Sequence, residues 1–480
     1  MKWEPVIGIE VHVELETASK MFCGCAVDFE AEPNTNVCPV CLGLPGALPV
    51  PNRKAIEWIT KIGLAFNCSI SERSQFHRKN YFYSDQPKNY QISQFDVPVC
   101  HDGWLDVMVD GVTSRIRINR AHMEEDTGKS IHVGDSGRIH SATETLLNFN
   151  RAGVPLVEIV SEADIRSAAQ ARAYAQDLRT VVAALGVSDA KLEEGSIRFD
   201  ANVSIRPVGT EPFGTKVEVK NMNSFRSLER AVDYEIHRQE SVLKSGGIIH
   251  QETRHWDEGE GVTHSMRSKE GSSDYRYFPE PDLLPIEVTD EWRDAIAATL
   301  PEMPAARVLR YVALGADADS AASLAGSAAL ATLFESAVEA GAPGNVAANW
   351  LTGEVTAWSR RESLDVAESA LTGEHVRDLA AMVAANSLSS TAAKEVLGYV
   401  LAGEGGPVEV ATAHDLVQIS DSGALEEAVD EVIADNEEQF ARLVGGEDKL
   451  IGFFVGLVMR VTGGKADPRA VTEIIRSRIG

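Results

Sequence analysis

Four of the six cysteines in this 480-residue chain lie near the N-terminus, in the segments Cys23-Gly-Cys25 and Cys38-Pro-Val-Cys41. Two close pairs of thiols separated by a loop are typical of a tetrahedral zinc site. Because four thiolates leave no open coordination position, we expect this Zn²⁺ to be structural. Two pairs of buried thiols are the alternative. Cys68 and Cys100 stand alone and are predicted to be packing residues.

Two strand-like segments place acidic side chains where they could bind a cation. Val6–Leu15 alternates with period two, so Glu10 and His12 project side by side from the face opposite its apolar residues. A solvated strand face would give the same pattern. Glu158 is the single carboxylate in the apolar run Arg151–Val160, and a buried acid is costly unless it is paired or bound to a metal.

A third acidic segment, His122-Met-Glu-Glu-Asp126, follows another alternating strand. Three acidic clusters on separate strands predict a Mg²⁺ site, because this ion prefers oxygen ligands and is commonly shared with nucleotide phosphates. A histidine ligand such as His12 would suit Mn²⁺ or Zn²⁺ better. A core ion pair between Glu158 and an arginine is the structural alternative.

Basic side chains accompany these carboxylates. Arg198 alternates with Asp200 in the segment 192–206, and Lys220 ends the alternating run Lys216-Val-Glu-Val-Lys220. The turn-rich loop 78–88 adds further lysines. Such a sheet suits the binding of phosphate or carboxylate groups. The predicted phosphate-binding set is Lys79, Lys88, Arg198 and Lys220.

The elements that must position these residues change in character along the chain. Strand-like alternation dominates up to about residue 290, whereas the rest is alanine-rich with apolar residues at helical spacing. We therefore expect an α+β protein in three parts. Residues 1–290 form a catalytic domain with the zinc knuckle, 291–405 a helical domain and 406–480 a helical tail, with Gly403-Glu-Gly-Gly-Pro407 as linker.

The net charge of −27 argues against indiscriminate nucleic-acid binding, which depends on a basic surface. The stretch 451–480 is an exception, with five basic residues against two acidic ones. Lys465, Arg469 and Arg476 are expected to contact RNA there. We find no signal peptide and no run of about 20 apolar residues, which predicts a cytoplasmic protein without a membrane segment.

Several catalytic motifs are absent from the sequence. It has no G-x-x-x-x-G-K-[ST] phosphate loop, no G-x-S-x-G elbow and no Ser-Ser-Lys arrangement of the amidase kind. If the chain amidates a substrate, a partner must therefore supply the ammonia.

Taken in order, these segments resemble the B subunits of the aspartyl/glutamyl-tRNA amidotransferases. The matching runs are Ile9–Leu15, Arg78–Tyr83, Pro87–Ser93, His122–Asp126, Asn150–Leu156, Glu193–Ser196, Lys220–Phe225, Asp274–Asp282 and Gly464–Pro468. The resemblance implies an N-terminal cradle on an antiparallel sheet, like that of glutamine synthetase and guanidino kinases, followed by a helical domain and a tRNA-contacting tail. Asn148 departs from the family, which usually has Asp there, and that Asp would help to hold a second metal.

The resemblance also implies a reaction. ATP phosphorylates the side-chain carboxylate of Asp-tRNA(Asn) or Glu-tRNA(Gln), and ammonia from a glutaminase A subunit then forms the amide, with a small C subunit completing the complex. Carried over residue by residue, it implies Mg²⁺ or Mn²⁺ ligands at His12, Glu125 and Glu158. Glu10 lies beside them and completes the expected catalytic set.

Two other functions stay open on the residues alone. One is a free-standing carboxylate–amine ligase of the glutamine synthetase type, which would need neither the long helical region nor the basic C-terminal stretch. The other is a non-catalytic tRNA-binding scaffold, which would leave Glu158 in its apolar strand unexplained.

Overall fold

The computed structural model describes residues 2–28, 30–133, 143–268, 275–418 and 422–479. Asp274, the first residue of one of the matching runs, lies outside this part of the chain. The structure divides into two compact units, Met1–Met303 and Pro304–Gly480. The division therefore lies beyond the boundary predicted near residue 290.

The first unit carries the strands. In chain order they are β1 (Trp3–Glu14), β2 (Ser69–Ile70), β3 (Arg73–Ser74), β4 (His77–Asn80), β5 (Tyr90–Ser93), β6 (Cys100–Val109), β7 (Val112–Glu125), β8 (Lys129–Val133), β9 (Glu144–Asn148), β10 (Pro155–Ser161), β11 (Ile197–Pro207), β12 (Val217–Lys220), β13 (Glu252–Asp257), β14 (Val262–Ser268), β15 (Phe278–Pro279) and β16 (Ile286–Glu287). Nine of them form one sheet in the order β14-β13-β12-β11-β1-β10-β7-β6-β2. All its neighbours are antiparallel except β12 and β13, which are parallel.

Helices cover one face of this sheet. The first unit contains α1 (Arg53–Ala65), α2 (Ala168–Leu185), α3 (Phe225–Lys244) and α4 (Asp290–Ala297). Apolar residues of the first three helices and of the alternating strands share one hydrophobic core. The apolar residues of β1 on that face, Ile7, Ile9, Val11 and Val13, are fully buried. The α+β fold and the predicted inward face of β1 are confirmed.

The second unit is helical. Its helices are α5 (Pro304–Ala313), α6 (Ala318–Ala325), α7 (Ala328–Glu339), α8 (Gly344–Trp350), α9 (Thr356–Glu362), α10 (Gly373–Ala384), α11 (Ser390–Leu401), α12 (Pro407–Ala413), α13 (Ser422–Ala434), α14 (Glu437–Val444), α15 (Leu450–Val461) and α16 (Pro468–Ile479). A π-helical turn, Leu351–Val355, joins α8 to α9. None of these helices is by itself long and apolar enough to cross a membrane. Taken together, α6 and α7 have the length and apolar composition of a membrane span, but the pair is bent by 118°.

Two separate hydrophobic clusters stabilise the second unit. The first runs from Tyr311 to Ala411 and the second from Leu425 to Ile475. Val410 and Ala411 place α12 in the first cluster, because an amphipathic helix packs where its apolar side chains are buried. The core of the helical part therefore continues past the predicted linker at 403–407.

Candidate active site

The strand register brings polar side chains of four strands onto the sheet face opposite the helices. His12 of β1 is directly opposite Glu158 of β10, and Glu158 is opposite His122 of β7. On its other side, His12 is opposite Arg198 of β11. Directly opposed residues project from the same face of a sheet. These four side chains therefore form a continuous polar row across the strands.

Three side chains in and beside this row could hold a metal ion. His12, Glu124 and Glu158 offer ligand atoms that all lie within 4.8 Å of one another. The Nε2 atom of His12 is 3.7 Å from Oε2 of Glu158. The ring of His122 lies against both carboxylates, with Nε2 at 3.3 Å from Glu158 and 3.4 Å from Glu124. One imidazole and two carboxylates fit Mn²⁺ or Mg²⁺.

The charges of this group favour ionised carboxylates. Burial alone would raise the pKa of Glu158, but His122 and His12 outweigh it and hold the pKa well below its ordinary value. Burial also acts on Glu124, where Lys79 and His122 lower the pKa to about 2. Although burial disfavours its charge, the two carboxylates raise the pKa of His122 to about 9. Both carboxylates therefore carry the negative charge that a metal ligand needs.

Glu125, which the resemblance implied as a ligand, is not part of this group. Successive side chains of a strand point to opposite faces, so Glu125 projects away from the face that carries Glu124. Its carboxylate forms an ion pair with Lys88 and accepts a hydrogen bond of 2.9 Å from the backbone N–H of Ile92. The structure places Glu124 where the resemblance implied Glu125, and it commits Lys88 to an internal ion pair.

Two neighbouring elements orient Glu124. Ser93 Oγ donates a hydrogen bond of 2.8 Å to one carboxylate oxygen, and Gln91 donates one of 3.1 Å to the other. Lys79 of β4 brings its Nζ to 3.8 Å from Glu124. Burial would lower the pKa of Lys79, but Glu124 and other nearby charges raise it above its ordinary value. Lys79 therefore adds a permanent positive charge beside the ligand group.

A second group of carboxylates lies on the same sheet around a lysine. Glu10, Asp200 and Glu218 also offer oxygen atoms within 4.8 Å of one another. Lys220 Nζ is 2.6 Å from Asp200 and 3.5 Å from Glu218. Asn202 donates a hydrogen bond of 2.7 Å to Glu10. Three carboxylates against one ammonium group leave negative charge that could bind a second cation.

Asn148 lines a cavity of about 640 Å³. Arg198 lies next to residues of the cavity wall. Arg198 Nη2 is 3.2 Å from Asp126, which lies beside Glu14 at the cavity wall. Asn148 accepts hydrogen bonds from the N–H groups of Asn34 and Asn150, at 3.3 and 3.0 Å. Asn148 therefore belongs to neither carboxylate group.

The four N-terminal cysteines converge as their spacing predicts. Their sulfur atoms all lie within 4.8 Å of one another, and those of Cys38 and Cys41 are 3.6 Å apart. A tetrahedral Zn²⁺ with Zn–S bonds of about 2.3 Å would separate its sulfurs by about 3.8 Å. A hydrogen bond from Cys23 lowers the pKa of Cys41 to about 4, which favours a thiolate. The residues fit a structural zinc.

The tail residues expected to contact RNA differ in their surroundings. Lys465 forms an ion pair with Asp415. Within the described residues, no acidic side chain pairs with Arg469 or Arg476, whereas Arg478 binds Asp430 at 2.8 Å. The last helix therefore presents two arginines that remain available for phosphate groups.

The fold and the site together define a class of α+β proteins in which one sheet face carries carboxylate groups that could hold a metal ion, and a helical region follows the sheet. Comparison with known proteins then narrows the class. The sequence profile of the GatB/GatE catalytic domain matches residues 5–294, and that of the GatB domain matches residues 332–479.

Three relatives show the extent of the similarity, and each is the B subunit of an aspartyl/glutamyl-tRNA(Asn/Gln) amidotransferase. The protein from Frankia casuarinae is 50% identical over 100% of this chain and 96% of its own. Those from Nocardia farcinica and Trichodesmium erythraeum are 49% and 47% identical, over 99% and 100% of this chain and 95% and 98% of theirs. The chain therefore belongs to the GatB family of tRNA amidotransferase subunits.

Proposed function

We propose that this chain activates the side-chain carboxylate of Asp-tRNA(Asn) or Glu-tRNA(Gln) by ATP-dependent phosphorylation, within a cytoplasmic complex that also contains a glutaminase A subunit and a small C subunit. The observation that carries the proposal is the group formed by His12, Glu124 and Glu158 on the open sheet face. Ammonia from the A subunit attacks the phosphorylated carboxyl carbon, so that phosphate leaves and the amide forms.

The residues of this chain have separate tasks in that step. His12, Glu124 and Glu158 would hold Mg²⁺ or Mn²⁺, which supplies charge neutralisation for the phosphoryl group when bound. Lys79 adds a positive charge on the same face. His122 contacts both carboxylates and fixes their orientation, as groups behind metal ligands commonly do.

The second carboxylate group extends this face. Glu10, Asp200 and Glu218 could hold a further divalent cation, and Lys220 is placed to contact a phosphate oxygen if it leaves its carboxylate partners. Catalysis of phosphoryl transfer depends mainly on positioning and charge, so a fixed array of this kind is sufficient.

The experiment compares three variants assembled with their partner subunits. Glu124→Gln and Glu158→Gln keep the side-chain shape but remove the charge that a cation needs. We expect ADP formation that depends on mischarged tRNA to fall at least about 100-fold in both, a loss of about 2.7 kcal/mol of transition-state stabilisation. tRNA affinity should stay close to that of the parent. Because loss of either buried charge also weakens the interaction with His122, ADP formation is compared per folded molecule.

Glu125→Gln is the matched variant in the same strand. It leaves the buried ammonium of Lys88 without its partner, so it should lower thermal stability, by about 3 kcal/mol in unfolding free energy. ADP formation per folded molecule should be retained better than in the other two variants. Normal activity of Glu124→Gln combined with an inactive but stable Glu125→Gln would show that the ligand is Glu125.

A further inference from the structure

Five aromatic rings form a continuous series beside the metal-binding group. The contacts run from Tyr83 to Tyr81, Tyr275, Tyr277 and Phe95, with centroid separations of 5.7, 6.3, 6.2 and 4.4 Å. The last pair is stacked, with ring planes only 15° apart. We call these five side chains the aromatic series. Its two ends are open, because Tyr83 is 49% and Phe95 48% exposed.

The backbone holds the middle of the aromatic series in place. Arg276 has a φ of +46°, a left-handed conformation that L-residues seldom adopt. The side-chain amide of Asn80 donates hydrogen bonds of 3.2 Å to the carbonyl of Tyr275 and 2.9 Å to that of Arg276. This turn therefore fixes Tyr275 and Tyr277 on either side of an exposed arginine.

The aromatic series reaches the candidate active site through Lys79. Its Nζ lies 5.3 Å from the ring centroid of Tyr275 and 3.8 Å from Glu124. Burial raises the pKa of Tyr277 to about 12, and the charges of Lys79, Glu124 and Glu158 act on the same hydroxyl. The rings therefore extend from the metal-binding group to the surface.

We propose that the aromatic series stacks the bases of the 3′-terminal single strand of the aminoacyl-tRNA, with the terminal adenine next to Tyr277. The proposal rests on the function proposed above. The reacting side-chain carboxylate belongs to an amino acid whose α-carboxyl group is esterified to the terminal ribose, so the terminal base must lie close to the metal-binding group. Aromatic rings bind bases of any sequence by stacking, and a strongly acidic chain gains affinity in this way without a basic surface.

The shape of the aromatic series favours the RNA strand over the adenine of ATP. A single adenine needs one slot, and nucleotide sites usually enclose most of their ligand. Here successive rings lead from Tyr277 through Tyr275 and Tyr81 to the exposed Tyr83, which suits successive bases of one strand. Arg276 lies among them and can pair with a phosphodiester group.

The test measures the binding of deacylated tRNA, intact or lacking its 3′-terminal adenosine, to the complex assembled with partner subunits. Tyr277→Leu should weaken binding of intact tRNA about tenfold, the effect expected for the loss of one stacked base. It should leave the affinity for trimmed tRNA unchanged. Tyr277→Phe keeps the ring and should bind intact tRNA like the parent. Trp104→Leu, an aromatic residue of β6 outside the series, is the control and should change neither affinity.

Three results would overturn the proposal. One is an equal loss of affinity for intact and trimmed tRNA. Another is a raised KM for ATP with normal tRNA binding, which would assign the rings to the nucleotide. The third is parental binding of intact tRNA by Tyr277→Leu. Failure of the proposed function is distinguishable, because the parent complex would then form no ADP in response to mischarged tRNA.

Discussion

Glu14 lies on the same face of β1 as His12 and shows how burial changes the chemistry of one carboxyl group. Burial, followed by the charge of Asp126 and a hydrogen bond to it, raises the pKa of Glu14 to about 8. The group is therefore protonated at neutral pH and donates a hydrogen bond to Asp126. Arg198 and Arg151 balance the charge of Asp126, with nitrogen atoms at 3.2 and 3.5 Å from Oδ2.

This protonation predicts a pH-dependent effect of Glu14→Gln. Folded Glu14 keeps a proton that the unfolded chain releases above its ordinary pKa of 4.5. The contribution of Glu14 to the free energy of unfolding is thus fully present below pH 4.5 and is lost as pH rises through about 8. Glutamine can donate the same hydrogen bond but does not titrate. The unfolding free energy of the variant minus that of the parent should therefore increase between about pH 5.5 and about pH 8.5, by up to about 1.4 kcal/mol per pH unit. A difference that stays constant with pH would contradict this assignment.

Glu124 and Glu125 show what the residue sequence could and could not predict. Alternation counted from His122 places Glu124 on the same face and Glu125 on the other. The sequence therefore contained the information that separates the two glutamates. The run of acidic residues alone did not say which face would be covered. That choice depends on pairing with β10, more than thirty residues further along the chain.

The two cysteine loops contact the residues that lead into β10, the strand that carries Glu158 of the candidate active site. Gly153, in the turn that precedes β10, has a φ of +90°. A Cβ atom there would meet side-chain atoms of Lys20, Cys41 and Glu125 at 3.5, 3.7 and 3.9 Å. The N–H of Met21 donates a hydrogen bond of 2.7 Å to the carbonyl of Gly153. The cysteine-containing segment therefore packs against the residues that lead into the strand that carries Glu158.

Removal of zinc should test this arrangement. We expect about one equivalent of zinc per chain, lost in Cys38→Ser together with a marked fall in melting temperature. Because the loops contact β10, the variant should also lose carboxylate activation at temperatures where it is still folded. Elemental analysis and thermal unfolding provide the measurement, and Cys68→Ser is the control that should keep its metal. A zinc-free parent of equal stability would contradict the prediction.

The faces of strands with a regular alternation could be predicted from the sequence. The strands with which they pair could not. Alternation in β1 and β11 predicted both the buried and the polar faces. The parallel pairing of β12 with β13 and the group Glu10, Asp200 and Glu218 were not foreseen. They depend on contacts between segments up to about two hundred residues apart, and local pattern carries no information about such contacts.

Across the whole molecule, the proposed binding of tRNA must overcome a net charge of −27. Acidic neighbours already pair with two basic residues near the C-terminus, Lys465 and Arg478. Favourable contact with the RNA backbone therefore depends on local groups whose charge is not compensated. Within the described residues, Arg469 and Arg476 of α16 meet this condition, as does Arg460 of α15.

The difference between paired and unpaired arginines predicts which charges can be removed from the tail without loss of tRNA binding. Arg469→Gln with Arg476→Gln should weaken tRNA binding and reduce the slope of log K against log salt by about 2, one for each lost phosphate contact. Arg442→Gln is the matched control, because Arg442 is bound to Glu447 at 2.7 Å. Affinity measured between about 50 and 200 mM salt provides the test. Equal effects of the double variant and the control would argue against phosphate contacts by α16.

The register of the sheet has a consequence for which changes in sequence this family can tolerate. In β1, even-numbered positions from Glu10 to Glu14 carry the site and odd-numbered ones fill the core. A substitution in this strand damages one of these two functions. Insertion or deletion of one residue exchanges the two faces and destroys both. Length changes should therefore be excluded from β1, β7, β10 and β11 among functional relatives, and be confined to the loops between them.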